Sequence, residues 1–509
     1  MMAGMTCSHP ASNGAPRPRA TQSRGLLAAA VLALAVLNGS AAAADLASAS
    51  GGSADPSADV GRTGAATAAG AVTAEDPSRA HSVDTGANDV DAPTSTEQGQ
   101  TGLTDSFERR PVQALLHESR LVGLRDTTFS VQLRSFDLDR ENFNGSDSQA
   151  WALGGSAGVK TGYFGNFAAL GATVYTSQRL QGPLDEDGTK LLQPGQQAYT
   201  AIGELYGQFR LTDRISAIVG RRGFDTPFIN TQDSLMTPNT FDVYAVQGVL
   251  GTADDTTSLR FGAGFFDKIK PRNAEDFESM ATAAGARGGV DRGVAAGGGN
   301  FKTGQFSIGA IEYYCSDIMN IIYAETKYAI PLANRVTLRV AAQYTDQHST
   351  GEELLTGKHF SAAQNGFKAE IAVGPALFTV ARTVTAVGTR SATGSGTDMR
   401  NPWGGYPGYT AVQIENFYRG GENATLTRAA YNFPRVTGLS IYALMVHGST
   451  PAVYEQYAQT EYDANLQWVA QAPRLRGLTL LVRYGHVQQQ SAADQHENEL
   501  RLVAYYKLR

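Results

Sequence analysis

The chain has 509 residues and carries 42 Lys and Arg against 48 Asp and Glu, for a net charge of −6. No basic patch reaches the density of a nucleic-acid binder, so no nucleic-acid partner is expected, and past the N-terminal region no run approaches the roughly 18 apolar residues of a membrane-spanning helix. Of the two cysteines, Cys7 lies in a segment expected to be cleaved and Cys315 is left alone, which excludes an intramolecular disulfide in the mature protein.

In chain order, Arg17, Arg19 and Arg24 precede the apolar stretch Leu26 to Leu37, and Ala42-Ala43-Ala44 stands before Asp45. This is the layout of a secretory signal peptide over residues 1–44. Export without a helical anchor leaves the periplasm, the medium or the outer membrane. Residues 45–106 hold ten acids against Arg62 and Arg79 and contain no Phe, Trp or Tyr. Such a segment cannot bury enough apolar surface to offset its ordering entropy, and disorder is expected. Every aromatic residue stands at Phe107 or later, which places the folded unit at 107–509. That unit is nearly neutral, so ionic selectivity has to come from local placement.

From Thr127 onward, segments of alternating polarity repeat between turns. Val336, Leu338, Val340, Ala342 and Tyr344 share one face of a strand, and Thr337, Arg339, Ala341 and Gln343 share the other. Lys368 and Glu370 likewise oppose Phe367, Ala369, Ile371 and Val373. Glu461, Asp463, Asn465 and Gln467 oppose Tyr462, Ala464, Leu466 and Trp468, and Arg483 opposes Leu478, Leu480 and Val482. A soluble sandwich also alternates, but seldom with so many long strands ending in large aromatics. Antiparallel strands with apolar faces outward, polar faces inward and aromatic girdles describe an all-β, transmembrane antiparallel β-barrel of the outer membrane. Tyr163, Phe164, Tyr175, Tyr206, Tyr328, Tyr344, Trp468, Tyr505 and Tyr506 are the expected girdle residues. The number of strand-like segments predicts 18 strands, with 16 as the alternative, and a barrel of that size encloses an aqueous lumen. Three irregular stretches interrupt the rhythm at Gly223 to Thr240, Pro271 to Asn300 and Arg390 to Pro407. Long loops lie on the extracellular side, and one of them commonly folds inward.

Several motifs carry a family resemblance: Gly162-Tyr163-Phe164, then Tyr175 to Leu180 followed by Asp187-Gly188-Thr189, and Gly203-Glu204-Leu205-Tyr206. They continue in Asp225-Thr226-Pro227-Phe228-Ile229-Asn230, Asp233-Ser234 and Met236 to Phe241, and close with Gly477-Leu478, Arg483-Tyr484, Asn498-Glu499 and Arg501-Leu502. Over roughly Phe107 to Arg509 the chain resembles the OprD family of outer-membrane porins. The resemblance implies an 18-stranded monomeric barrel whose inward loop and basic ladder guide small, mostly carboxylate-bearing solutes. Leu235 departs from it, standing where an arginine is expected, and so does Ala424-Thr425 after Glu422-Asn423 in place of an aromatic.

The candidate pore-lining cations are Arg339, Arg483 and Arg501, with Lys368 on the same kind of face and Arg382, Arg419, Arg428 and Arg435 from the C-terminal half. A guanidinium facing lipid at mid-bilayer costs about 2–4 kcal/mol, which favours inward placement. Its rigid fork suits carboxylates, and several weak sites in series pass a solute that one tight site would trap. The alternative for each is a wall-stiffening pair with Glu370, Glu461, Asp463 or Glu499. Asp225, Pro227, Asp233 and Pro238 mark the expected constriction loop; the two aspartates could set a transverse field or bond local backbone.

The run Gly154 to Gly158 matches G-x-S-x-G, but it continues directly as a strand and lacks the turn and helix a nucleophile elbow needs. Asp185-Glu186-Asp187-Gly188 reads as a solvated turn, and His447, His486 and His496 have no metal-ligand spacing. No catalytic residue, metal or cofactor is expected. The reading is a passive porin for small hydrophilic, anionic or carboxylate-bearing solutes, with outer-membrane lipid and the barrel-assembly machinery as partners. The alternatives are a barrel enzyme, which needs Ser, His and an acid to meet near one rim, and an adhesin presenting the two later loops. Residues 45–106 are too short and polar for the plug of a TonB-type transporter.

Overall fold

A computed structural model describes residues 112–251, 256–388, 397–450, 457–490 and 495–508. The expected signal peptide and acidic segment lie outside the described residues. A short helix, α1 (Val112–Glu118), precedes the first strand. Eighteen strands then form one ring: β1 (Thr128–Glu141), β2 (Asp147–Lys160), β3 (Ala168–Gln181), β4 (Tyr199–Arg210), β5 (Ile215–Arg222) and β6 (Thr240–Gly251). These are followed by β7 (Thr257–Lys270), β8 (Val294–Thr303), β9 (Phe306–Cys315), β10 (Met319–Ala333), β11 (Val336–Ser349) and β12 (Ser361–Val373). The ring ends with β13 (Ala376–Thr385), β14 (Asn423–Asn432), β15 (Leu439–Ser449), β16 (Ala458–Val469), β17 (Leu478–Gln490) and β18 (Gln495–Leu508).

Each strand pairs antiparallel with its neighbour, and β1 closes on β18 from Val131 opposite Leu508 to Glu141 opposite Asn498. Closure leaves no sheet edge to hydrogen-bond in lipid. A two-residue strand, Glu278–Ser279, is an addition paired to the end of β7. Turns at one end are short, such as Asn334-Arg335 and Gly374-Pro375, whereas the other end carries the segments 182–198, 223–239, 271–293 and 386–422. By this asymmetry the long-loop end is extracellular and both ends of the barrel chain are periplasmic.

Exposure alternates as the sequence requires. In β9, Ser307, Ile311, Tyr313 and Cys315 are buried and Ile308 and Tyr314 exposed. In β16, Glu461, Asp463 and Asn465 are buried while Tyr462 and Leu466 are exposed. In β16 the exposed face is the apolar one, and it meets lipid. Phe129, Phe164, Phe167 and Tyr328 ring the periplasmic end, and Tyr244, Phe265, Tyr314 and Tyr462 are exposed toward the other. Four expected girdle residues turn inward instead. Tyr163 is buried, the Tyr175 ring fills the space over Gly203, and Tyr206 and Tyr505 lie under the guanidinium groups of Arg222 and Arg134.

The stretch expected as a loop to Asn300 ends at Gly293, and Gly297–Gly299 belong to β8. Glycine is required there by close approach: a Cβ on Gly298 would collide with the Ala310 carbonyl and Ile311 of β9. The largest apolar cluster sits inside the ring, where Phe228, Trp403, Tyr406 and Met280 from three loops pack on Tyr313, Ile321 and Tyr323 of the wall.

Candidate functional site: the inward loops and a basic track

The loop between β5 and β6 enters the lumen because its own side chains fold it. The Asp225 carboxylate accepts the Thr231 hydroxyl (2.6 Å) and amide (3.2 Å), and Thr226 Oγ1 donates to Ile229 O at 2.8 Å. These contacts present Phe228 to the rings of Tyr313, Tyr323 and Tyr406 at 5.9, 6.3 and 5.9 Å, while the Phe228 amide donates to Tyr313 Oη at 3.2 Å. Pro227 sits at this bend, and its carbonyl accepts from Asn230. Farther along, Asp233 takes a bidentate contact from Arg134 of β1, at 2.8 and 3.1 Å, and the same guanidinium binds the Leu235 carbonyl. The cation opposite this loop thus comes from the wall. Pro238 is buried at the loop's return to β6.

A second inward loop was not foreseen. Residues 397–422 were expected, as far as Pro407, to lie with the outer loops, yet Trp403 is fully buried and donates from Nε1 to Met280 O at 2.8 Å. Asn230 joins the two loops, donating to Gly405 O at 3.0 Å and accepting from the Gly405 amide at 2.8 Å. The approach is so close that a Cβ on Gly404 would strike its carboxamide. Wall carboxylates hold the rest. Glu461 accepts the amides of Ile414 (2.7 Å) and Glu415 (2.8 Å), Asp463 accepts that of Gln413 (3.1 Å), and Glu499 accepts Gln413 Nε2 (3.1 Å). At the loop's end, Glu422 accepts the Arg419 amide at 2.9 Å and Gln459 Nε2 at 3.1 Å, and burial pushes its carboxyl up to about 7.

Beside these loops runs a series of cations. At the extracellular end, burial lowers both Lys190 and Arg272, the latter to about 10, with further lowering from Arg272 and Arg140 on the one and from Arg501 and Arg140 on the other. Arg140 and Arg501 both pair with Glu499, and Arg501 also donates to Gln413 O at 3.2 Å. Arg483 stands directly opposite Arg501 in the β17–β18 register and donates to Asn465 Oδ1 at 3.2 Å. Two cations in opposed positions repel unless something negative lies between or beside them. Below them a cavity of about 520 Å³ reaches the periplasmic rim. Its charged lining is Arg134, Arg476, Arg483, Arg501 and Lys507 against Asp233. A second cavity, about 550 Å³, lies under α1 and is mixed in charge, with Glu118, Glu204 and Asp225 facing Lys160, Arg210, Arg222 and Arg260.

The expected cations therefore divide. Arg483 and Arg501 meet in the basic cavity. Arg339 and Lys368 face the lumen at a separate station beside Glu370, with Lys368 at 3.5 Å from that carboxylate and 5.0 Å from the Tyr409 ring centre. Arg428 faces inward over Tyr442 at 4.0 Å, and Arg419 lies in the second loop, 3.6 Å over Tyr457. Arg382 is not pore-lining: it shares the exposed outer face of β13 with Phe378, Val380 and Val384. It stands three residues from the extracellular end of its strand, where an outward arginine costs only about 0–1 kcal/mol. Arg435 is likewise displaced, being exposed in the periplasmic turn between β14 and β15.

The meeting of Ser, His and acid that an enzyme would need does occur near the extracellular rim. Ser349 Oγ lies 3.1 Å from His359 Nδ1, and Glu353 lies 3.3 Å from that same nitrogen. A relay uses one ring nitrogen for the nucleophile and the other for the acid, so this convergence is not a triad. The G-x-S-x-G run lies wholly within β2.

A closed antiparallel ring, apolar outside and charged inside, with loops folded into a wet lumen, is the architecture of an outer-membrane porin. The family model described as outer membrane porin, OprD family, matches residues 124–509, and the chain belongs to that family, in the bacterial outer membrane. The family's members are channels rather than enzymes. Similar solved structures include OpdK of Pseudomonas aeruginosa determined with vanillate, at 19% identity and TM-score 0.63 over 76% of this chain and 99% of that one. OccK9 (OpdG) of the same organism is 20% identical with TM-score 0.64 over 76% and 99%. OccAB3 of Acinetobacter baumannii is 14% identical with TM-score 0.65 over 76% and 100%. A search of curated protein sequences finds no significant match.

Proposed function

We propose that this porin passes small hydrophilic solutes bearing a carboxylate, biased by the basic track. The observation that carries this reading is the imbalance around the periplasmic cavity: five cations line it, while the acids beside them are Asp233, paired with Arg134, and Glu499, shared by Arg501 and Arg140. Guanidinium groups stay charged at any relevant pH and bind carboxylates bidentately. A carboxylate moving from Lys190 and Arg272 past Arg140 and Arg501 to Arg483, Arg476 and Lys507 meets successive weak partners, which favours transit over capture. Asp225, Pro227, Asp233 and Pro238 belong in this reading to a constriction formed by loop 223–239 together with 397–422. One structural neighbour was solved with vanillate, itself a carboxylate, which supports the class without naming this chain's solute. Export by a cleaved segment 1–44, a barrel domain over 107–509 and insertion by the barrel-assembly machinery complete the reading.

The test is the reversal potential in planar bilayers under a salt gradient. The protein is expected to prefer anions, and Arg476→Gln combined with Arg483→Gln to move the potential toward cations. A cation-preferring channel, or a potential unmoved by the pair, would overturn the proposal. The adhesin alternative loses support where residues 397–407 turn inward, with Trp403 donating to Met280 O and the Gly405 amide to Asn230, rather than being presented.

A further inference from the structure

The basic cavity opens at the same end of the barrel from which the chain enters β1. There α1 is fixed to the rim: Glu118 pairs with Lys160, and Arg210 donates to Ser119 O at 2.6 Å. The residues before it, 45–106, carry ten acids and two arginines. We propose that this acidic segment docks in the basic periplasmic cavity, so that the chain supplies its own carboxylate competitor for the solutes it admits.

Charge is the first support, because a segment of net −8 is tethered beside a vestibule with five cations and one carboxylate. Reach is the second. Eighteen strands spaced about 4.8 Å and tilted about 40° enclose a ring roughly 36 Å across. An extended chain spans about 3.3 Å per residue, so Glu97, fifteen residues before Val112, reaches up to about 50 Å and any point of the rim. Concentration is the third: a covalent tether of this length holds its charges at an effective concentration on the order of millimolar, enough for weak ionic contacts to be occupied. Finally, the segment is an addition to the shared barrel. The family match starts at residue 124, and the solved relatives align over 99% of their own length but 76% of this chain. The proposal uses the same cavity as the solute pathway but requires only its charge.

The experiment compares three proteins in planar bilayers at 0.1 M and 1 M salt. They are the mature chain, a variant lacking 45–106, and a full-length variant with the ten acids of 45–106 replaced by Asn or Gln. Both variants are expected to raise the anion-to-cation permeability ratio about twofold at 0.1 M, the change for removing a competitor at half occupancy. The difference should fade at 1 M, where the Debye length is about 3 Å. A synthetic 75–106 peptide on the periplasmic side of the shortened protein should lower its anion current again. Equal permeability ratios in all three proteins would overturn docking while leaving the anion preference intact. A shift on deletion but not on neutralisation would overturn it too, since bulk and not charge would then be acting. A shortened protein with no anion preference would instead overturn the solute reading.

Discussion

The two loops that fill the lumen are held by opposite chemistry. Loop 223–239 brings a carboxylate, Asp233, to a wall arginine, whereas loop 397–422 brings backbone amides to the wall carboxylates Glu461 and Asp463. The first contact is a partly exposed ion pair, with 45% of the Asp233 side chain open to solvent. The second is buried, with Glu461 fully covered. Buried hydrogen bonds cost more to break than screened ion pairs, because a broken one leaves desolvated polar groups unpaired. The second loop should therefore be the stiffer side of the pore and the first the adjustable one.

The largest effect expected from this contrast is on pH. Burial raises Glu422 in the native protein to about 7 from the usual 4.5. A carboxyl raised on folding binds its proton more tightly in the native state. Its contribution is fully present below pH 4.5 and is lost as pH rises through 7. The loss is on the order of 3 kcal/mol. Thermal unfolding of the purified protein should thus shift to lower temperature between pH 5 and pH 8, and Glu422→Gln should flatten that slope. An identical slope in the variant would remove Glu422 from the account.

Next in size is Glu461→Gln. The amide keeps one acceptor but turns an N–H₂ toward a backbone N–H, so about 2 kcal/mol of anchoring is lost. Hydrogen exchange at Ile414 and Glu415 should accelerate roughly thirtyfold, with exchange at Phe228 unchanged. Equal acceleration in both loops would mean that they are one mechanical unit. Asp233→Asn acts on the softer side. With its screening, about 1 kcal/mol is expected, together with a shift of reversal potential toward anions because the carboxylate facing the track is gone. A shift toward cations would show that Arg134 is held as part of the anion path by its aspartate.

How far this was readable from sequence depends on what each face touches. Strands such as β16 follow the simple rule, and Glu461, Asp463 and Asn465 were assigned to the lumen from alternation alone. In β1 the rule inverts. Arg134, Phe136, Leu138 and Arg140 face inward, and Asp137 lies opposite Leu502 and Trp151 on the outer side. The lumen here is not water: Phe136 and Leu138 pack on Leu191, Leu192, Leu235 and Met236 from two loops. Apolar residues are therefore drawn inward in the upper part of the strand, where the outer face approaches the polar zone of the membrane. A periodicity argument that assigns apolar residues to lipid passes over Arg134 and Arg140, two rungs of the track. Arg272 and Lys190 were missed for another reason, since both lie in loops where no period applies. The inward turn of 397–422 rests on Trp403, which was visible as a large aromatic in a Gly- and Pro-rich stretch, but whose partner, Met280 O, is 123 residues away.

The smallest effect should come from the arginine that the cost of a lipid-facing guanidinium misplaced. Arg382 faces outward near the extracellular rim of β13, opposite Phe367 of β12 and Thr425 of β14. Since it lies on the lipid side, Arg382→Gln should leave reversal potential and conductance unchanged, in contrast to Arg483→Gln. Its stability effect should stay below about 1 kcal/mol, because the cost of a charge on the lipid face falls off toward the interface. The comparison sets a lipid-facing charge against a lumen-facing one: both substitutions remove one guanidinium from the C-terminal half of the chain, Arg382 on the outer face and Arg483 in the basic cavity. A reversal potential that moved equally for the two would mean that the long-range field of the wall, and not contact along the lumen, sets the selectivity.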